Sequence, residues 1–398
     1  MFFLKAWYCR LFQTAFRLLL PLLPYREPTR LGSCAELPDV LRREKATSLL
    51  LVTDKGIVAN GLLSAVEVAA TAANVSYTVF DDTEANPTVR NVEDALRRYR
   101  EHRCDGILAV GGGSAMDCAK AVGARVVYPQ KTVNQLGGKL KVRRRLPLWI
   151  AVPTTAGTGS ETTLAAMITD PDTHRKYALM SFPLIPHYAV LDATLTESLP
   201  PFLTAATGMD ALTHAVEAYI GRSTTKETRA LATEAVALIF RHLPRAYADG
   251  HDRTAREQML LASYKAGVAF SKSYVGYVHA LAHALGGRYG TPHGLANAVL
   301  LPHVLEAYGA RVHKKLHALA VAASLASDDD PAQTGAKKFL EAVRALNAAM
   351  GIPETLSAIR LEDIDALSTH AAREANPLYP VPKLMTKREL AALYHRIT

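Results

Sequence analysis

Cysteine is scarce. Cys9, Cys34, Cys104 and Cys118 are the only four in 398 residues, and no two of them form a CxxC pair or a spaced framework. This excludes a disulfide scaffold and suits a reducing compartment, so a cytoplasmic location is expected. Long apolar runs are also missing. The best candidate, Met1 to Pro24, is interrupted by Lys5, Arg10 and Arg17 and ended by Pro21 and Pro24. A spanning helix needs about 20 mostly apolar residues. A secretory signal needs a continuous apolar core and a small-residue cleavage site, and neither is cleanly present. There is no internal repeat and no low-complexity tract. Acidic residues are outnumbered 46 to 37, a net charge of +9, which favours anionic partners such as nucleotides, nucleic acid or acidic lipid without choosing among them. With 49% hydrophobic and 21% charged residues the chain is an ordinary globular one, long enough for two cores.

What is present changes in texture along the chain. Ser48–Asp54, Val75–Asp82, Gly106–Gly113, Leu148–Thr155 and Tyr188–Asp192 are short, apolar and β-branched, and helical stretches such as Val89–His102 lie between them. Buried apolar strands alternating with helices predict a parallel α/β sheet. From about Pro200 the strand signals stop. Long alanine- and leucine-rich patterns follow, as in Thr228–Leu243, and predict an all-helical second half joined at Glu197–Pro201.

Two strands run into small-residue loops. "AVGGGSAMDCAKAVG", Ala109–Gly123, carries Gly111, Gly112 and Gly113 into a helix, with Ser114 a candidate cap for it. Glycines there let backbone N–H groups approach a phosphate at a helix N-terminus. A ligand-free tight turn would read the same way, and the motif is not GxGxxG. "PTTAGTGSETT", Pro153–Thr163, follows another strand end. Two such loops suggest the edge of an open sheet where ligands bind. Asp54 also ends a strand. It suits a ribose diol, although a carboxylate there is equally a helix cap.

Histidines are concentrated in "HALAHALGGRYGTPHGLANA", His279–Ala298. His279 and His283 are spaced i, i+4, as are Asp210 and His214 in "GMDALTHAVEAY", so each pair shares one helix face. His293 follows a helix break at "GGRYGTP". One carboxylate and three imidazoles suit a divalent metal, whether zinc, ferrous iron or manganese, and five candidates leave one side chain over for another task.

Together, "GGGSAMDCAK", "PTTAGTGSE", "GMDALTHAVEAY" and "HALAHALGGRYGTPHGLANA" resemble the iron-containing, or group III, alcohol dehydrogenase family, from about Tyr25 to the C-terminus. "YREP", "VTDKGI" and "ANPTV" resemble its N-terminal features. The resemblance implies α/β plus all-α architecture of the dehydroquinate synthase-like type. A Rossmann-like parallel-sheet dinucleotide-binding domain (25–198) is followed by an all-helical metal-binding catalytic domain (199–398), after an amphipathic segment (1–24). It implies Asp210, His214, His279 and His293 as metal ligands and His283 as a proton relay near the nicotinamide. It places Gly112, Gly113, Ser114 and Asp117 at the pyrophosphate loop, and Thr154, Thr155 and Thr158 in a second cofactor loop. Lys176 and Leu195 fall at further dinucleotide contacts, Asp54 and Asn86 near the adenosine side, and Phe270 in the substrate pocket. Thr163–Met167 is small and apolar, which hints at a roomy pocket.

The implied activity is NAD-dependent, divalent-metal-dependent hydride transfer between a primary alcohol or diol and nicotinamide, with Fe2+ first and Zn2+ as the alternative. The metal would lower the alcohol's pKa, and the protein would place the carbon against the nicotinamide ring. A zinc-type polyol dehydrogenase or related NAD-using enzyme, and a catalytically silent membrane-associated protein, are the rival readings. A small-molecule alcohol or aldehyde, no nucleic acid, and a homodimer are expected. Lys139–Arg145 reads as a solvated loop, Cys104 and Cys118 as core, and His174, His187, His251 and His303 as surface or structural residues. In the first segment Arg10, Gln13, Thr14 and Arg17 form one polar stripe on an otherwise aromatic and aliphatic helix, as in a helix lying at a membrane interface; packing on the protein's own surface or on a neighbouring subunit is the alternative.

Overall fold

The computed structural model describes residues 2–172 and 175–398, without the side chains of residues 2–5, 21 and 175; His174 therefore lies outside the described residues. The chain divides into an α/β unit, Pro24–Leu199, and a helical unit, Pro200–Thr398 together with Met1–Leu23.

The α/β unit is built on six parallel strands: β1 (Thr29–Leu31), β2 (Ser48–Val52), β3 (Ser76–Phe80), β4 (Gly106–Gly111), β6 (Leu148–Pro153) and β9 (Tyr188–Val190), in the order β1-β9-β6-β4-β2-β3. Alternation along the central strands separates two cores. Leu50, Val52, Ile107, Ala109, Trp149 and Ala151 face one side, packed with Val92, Leu96, Met116 and Ala119 of the Val89–Glu101 and Gly113–Val127 helices. Leu49, Leu51, Leu108, Val110, Ile150 and Val152 face the other, with Leu37, Leu41 and Val66. A strand covered on both faces must be apolar at every position, which is why β4 is buried from end to end.

A second sheet, β5 (Gly138–Lys139), β8 (Arg175–Met180) and β7 (Ala165–Asp170), was not expected. Its sequences, "AAMITD" and "RKYALM", have little β-branched character and pass for loop or helix. Tertiary burial decides the matter: Ala166, Ile168 and Asp170 alternate inward along β7. Of the expected pocket-wall stretch Thr163–Met167, Ala166 therefore turns into the core. Lys139 enters β5 and Val142 is buried, while Arg143, Arg144 and Arg145 stay exposed. Cys104 and Cys118 are both in the core.

In the helical unit the first helix, Phe2–Leu19, turns part of its polar stripe toward the protein. Arg10 donates to the carbonyls of Val381 and Pro382, and buried Gln13 donates to that of Tyr379. Those carbonyls lie in an irregular stretch, outside any helix or strand ladder, so the two polar side chains dock the helix onto its own unit. Trp7, Tyr8, Leu11, Leu18 and Leu19 are left exposed. Among the described residues no helix is long and apolar enough to cross a membrane.

His187 offers a test of the α/β core. Its Nδ1 accepts the Trp149 N–H at 3.0 Å, so the ring must be neutral there. Burial, then the Arg26 and Arg145 guanidiniums, lowers its pKa from 6.5 to about 4. Above pH 6.5 neither folded nor unfolded chain holds the proton, and this contribution to stability is fully present. As pH falls from 6.5 to about 4 the unfolded chain takes the proton first, so the contribution is lost, by about 3 kcal/mol at most. Urea unfolding at pH 7 and pH 4 should show His187→Asn losing less stability than the parent by about that amount; equal losses would contradict the reading.

Candidate functional site

Three helices bring the expected metal ligands together. Pro201–Ile220 carries Asp210 and His214 on one buried face, Tyr277–Tyr289 carries His279, and Gly290 ends that helix with φ +66°. Such a left-handed turn suits glycine and lets the chain reverse. His293 then opens the next helix, His293–Tyr308. Gly294 permits the approach, since a Cβ there would meet the Ala206 carbonyl oxygen at 2.2 Å. One donor atom from each of Asp210, His214, His279 and His293 lies within 4.8 Å of all the others. The Asp210 Oδ1 is 3.9 Å from the His279 Nε2 and 3.6 Å from the His293 Nε2.

The surroundings fix these side chains. Glu217, one turn beyond His214, is buried, and its Oε2 lies 2.7 Å from the His279 Nδ1. That bond turns the His279 Nε2 toward Asp210 and resembles the carboxylate–histidine pairs that orient metal ligands. Glu217 also accepts the Gly276 N–H at 2.7 Å and the Val278 N–H at 2.8 Å, capping the Tyr277–Tyr289 helix from a neighbouring one. Asn297 directs its Nδ2 at Asp210, 2.7 Å away, and lies near the Nε2 atoms of His279 and His293.

Burial pushes the Asp210 and Glu217 carboxyls each up to about 7 and holds the His279 imidazole well below its ordinary range. Among the described residues no lysine or arginine pairs with either acid. Two buried acids beside the neutral His279 imidazole have no lysine or arginine to balance them, and a divalent cation fits that deficit.

His283 stands beside the cluster, its ring stacked on that of His293 with centroids 5.1 Å apart. Its Nδ1 meets the Glu374 Oε1 at 2.6 Å, and Glu374 also accepts the Tyr379 hydroxyl at 2.7 Å. Phe270 stacks on His214 at 4.1 Å. Sequence reasoning missed Glu217, Asn297, Glu374 and Tyr379. The first two were within reach: Glu217 shares the helix face of Asp210 and His214, and Asn297 lies one turn from His293.

The α/β unit gathers the expected cofactor residues at the ends of β4 and β6. The helix after β4 starts at Gly113 with Gly112 as its N-cap and no side-chain cap. This corrects the expectation for Ser114, which sits inside the first turn and accepts the Asn86 N–H instead. Glycine is tolerated at the cap, so the helix begins two residues earlier than a Ser114 cap would set it, and no side chain of the cap residue bonds its first N–H groups. Thr155 and Thr158 pack over Gly112 and Gly113, where a Cβ on Gly113 would meet Thr158 at 3.2 Å, and the Thr154 N–H donates to the Gly111 carbonyl. Lys176 donates to the Asn86 Oδ1 at 2.6 Å.

Two residues bind this region internally. Asp117 accepts from the Ser160 hydroxyl and the Met167 N–H. Lys120, fully buried, donates to the Ser160 carbonyl and hydroxyl, the Thr163 hydroxyl and the Ala165 carbonyl, and burial lowers its pKa to about 8. Asp54 caps the short Lys55–Ala59 helix through the Ile57 N–H while its Oδ2 borders Gly111. Leu195 lies apart from the loops, in the core with Leu31 and Val190.

Four potential metal ligands gathered in the helical unit and a glycine turn at the edge of a parallel sheet in the α/β unit are the two candidate sites. The comparisons with known proteins specify the family. Residues 29–193 match the family described as iron-containing alcohol dehydrogenase, and 204–398 match its C-terminal region. Alcohol dehydrogenase 4 of Saccharomyces cerevisiae is 38% identical over 366 residues, 91% of this chain and 94% of the relative. A crystal structure of 1,3-propanediol oxidoreductase superposes with a TM-score of 0.91 at 36% identity, covering 94% of this chain and 99% of that one. Sulfoacetaldehyde reductase from Bifidobacterium kashiwanohense, solved in complex with NAD+, gives a TM-score of 0.83 at 28% identity over 94% and 98% of the two chains. The chain belongs to the iron-containing alcohol dehydrogenase family and is an oxidoreductase acting on CH–OH groups.

Glu217→Gln puts an amide NH2 against N–H donors that now meet carboxylate oxygens. Urea unfolding in the presence of chelator should show a loss of roughly 2–4 kcal/mol, the range for leaving buried donors unsatisfied beside a charged acceptor. Unchanged stability would show that the carboxylate does not hold the two helices together.

Proposed function

We propose that this chain uses NAD and one divalent ion, iron first and zinc as the alternative, to interconvert a primary alcohol or diol and its aldehyde. The observation that carries the reading is the convergence of four donor atoms within 4.8 Å on a buried face. Asp210, His214, His279 and His293 would hold the ion, which when bound supplies Lewis acidity to the alcohol oxygen. Glu217 orients His279. Phe270, stacked on His214, would line the substrate pocket and help exclude water. His283, held at Nδ1 by Glu374, would take the alcohol proton at Nε2, with the Tyr379 hydroxyl completing the chain.

We assign dinucleotide binding to 25–198 and metal binding and catalysis to 199–398. The uncapped first turn after Gly112, with Gly113 and Ser114, would receive the pyrophosphate. Thr154, Thr155, Thr158, Asn86 and Lys176 border that turn, and Asp117 would act from behind by positioning the second loop. Asp54 would accept from the ribose hydroxyls and repel a 2′-phosphate. The NAD+ complex of the sulfoacetaldehyde reductase supports this choice. The chain is expected to act in the cytoplasm as a homodimer, which sedimentation velocity reads directly.

Steady-state rates of alcohol oxidation should give a higher kcat/KM with NAD than with NADP, and Asp54→Gly should narrow the gap by roughly tenfold as the repulsion is removed. A parent enzyme that prefers NADP would sink the cofactor assignment.

The N-terminal segment 1–24 supports a second reading, peripheral attachment to a membrane surface. Arg10 and Gln13 are taken up by the protein while Trp7, Tyr8, Leu11, Leu18, Leu19 and Leu22 are exposed. Aromatic and aliphatic residues on an outward helix face suit the interfacial region of a bilayer. Full-length protein should float with anionic vesicles and a chain beginning at Tyr25 should not; equal behaviour of the two would rule the anchor out.

A further inference from the structure

Four cations in the helical unit have no part in the proposed chemistry. Arg17, Arg222, Arg229 and Lys315 line one cleft of about 240 Å³, together with Gly221 and Thr224. They come from four separate stretches: the Phe2–Leu19 helix, the turn after Pro201–Ile220, the Lys226–Ala248 helix and the His313–Ala322 helix. No carboxylate lines the cleft. Among the described residues the three guanidiniums make no ion pair, whereas Lys272, nearby in sequence terms to neither, is paired with Glu227.

The cluster is held in place by the fold. The Lys315 ammonium donates to the carbonyls of Ile220 at 2.7 Å and Gly221 at 2.9 Å, the open C-terminal end of a helix. Two of its three donors are thus used, and one remains for a ligand. The Arg222 N–H is fixed by the Pro380 carbonyl. Thr225 caps the Lys226–Ala248 helix, whose positive end opens beside Arg229. Like charges gathered without a counter-charge repel: burial first, then Arg229, Arg222 and Arg17, lowers the Lys315 pKa to about 8.

We infer that this cleft is a binding site for a phosphate group, either free or on an ester. Planar guanidiniums from several directions, joined by one ammonium, match the tetrahedral oxyanion, and the bound charge would relieve their mutual repulsion. The site lies wholly in the helical unit. Two sources present this chemistry. One is a soluble phosphate or phosphate ester. The other is a lipid headgroup, since Arg17 is followed on its helix by exposed Leu18 and Leu19.

The full-length protein and an Arg17→Gln/Arg229→Gln variant decide it. Both positions are exposed, so the fold should survive, and dehydrogenase turnover serves as the control. Calorimetric titration with inorganic phosphate at fixed ionic strength should give saturable binding that weakens at least about tenfold in the variant, the scale of one lost charge-assisted hydrogen bond. If the headgroup is the source, vesicles containing phosphatidic acid should bind the parent, lose affinity for the variant and be displaced by soluble glycerol phosphate. Diffuse attraction to the surface would not be displaced that way. Binding in either arm with these properties supports the site. Phosphate binding undiminished in the variant, or binding with these properties in neither arm, overturns it.

Discussion

The helical unit depends on one buried carboxylate. Glu217 accepts two backbone N–H groups at the start of the Tyr277–Tyr289 helix and pairs with the His279 imidazole from the same position. An isolated carboxylate in that environment would be costly, and only several good hydrogen bonds compensate for it. The bonds tie the start of one helix to the middle of another, and they set the direction of a ring nitrogen as they do so. Gly276 belongs to the same constraint, since a Cβ there would meet the Glu217 Oε1 at 2.6 Å. The dense packing of the two helices and the aim of His279 are therefore one structural fact.

The α/β unit solves a similar problem with the opposite charge. Lys120 is as buried as the strands around it and directs its ammonium at three acceptors on the loop between β6 and β7 and at the carbonyl of Ala165, the first residue of β7. That loop carries the threonines that lie over Gly112 and Gly113. A buried ion with fixed partners holds a small-residue loop still without covering the backbone N–H groups that a ligand would need. In both units the side chains aimed at the site are supported by an ion that faces away from it.

Much of this architecture was legible in the chain. The five strand segments ending at Asp54, Asp82, Gly113, Thr155 and Asp192 stand out because double-sided burial forces continuous apolar runs, and the alanine-rich second half gives only helical periodicity. The second sheet was hidden because β7 and β8 are half-buried and poor in β-branched residues, so their pairing comes from tertiary packing. The edge strand β1 is three residues long and carries no periodicity. Histidine spacing marked the residues that converge on Asp210, but spacing alone is silent on the partners that orient them. Glu374 and Tyr379 reach His283 across more than ninety residues of sequence, a distance no local pattern spans. In the first helix the polar stripe is legible, but periodicity shows only that two faces differ and not which of them meets protein; here Arg10 and Gln13 do.

The central claim is that one divalent ion is held by Asp210, His214, His279 and His293. The most direct measurement is a crystal structure of anaerobically purified protein with anomalous data collected at the iron and zinc edges. The account predicts one anomalous peak per chain, bonded to a carboxylate oxygen of Asp210 and to the three imidazoles at roughly 2.0–2.2 Å, the range for such ligands. A peak elsewhere in the chain, or an ion at this position with His279 outside its ligand shell, would contradict it.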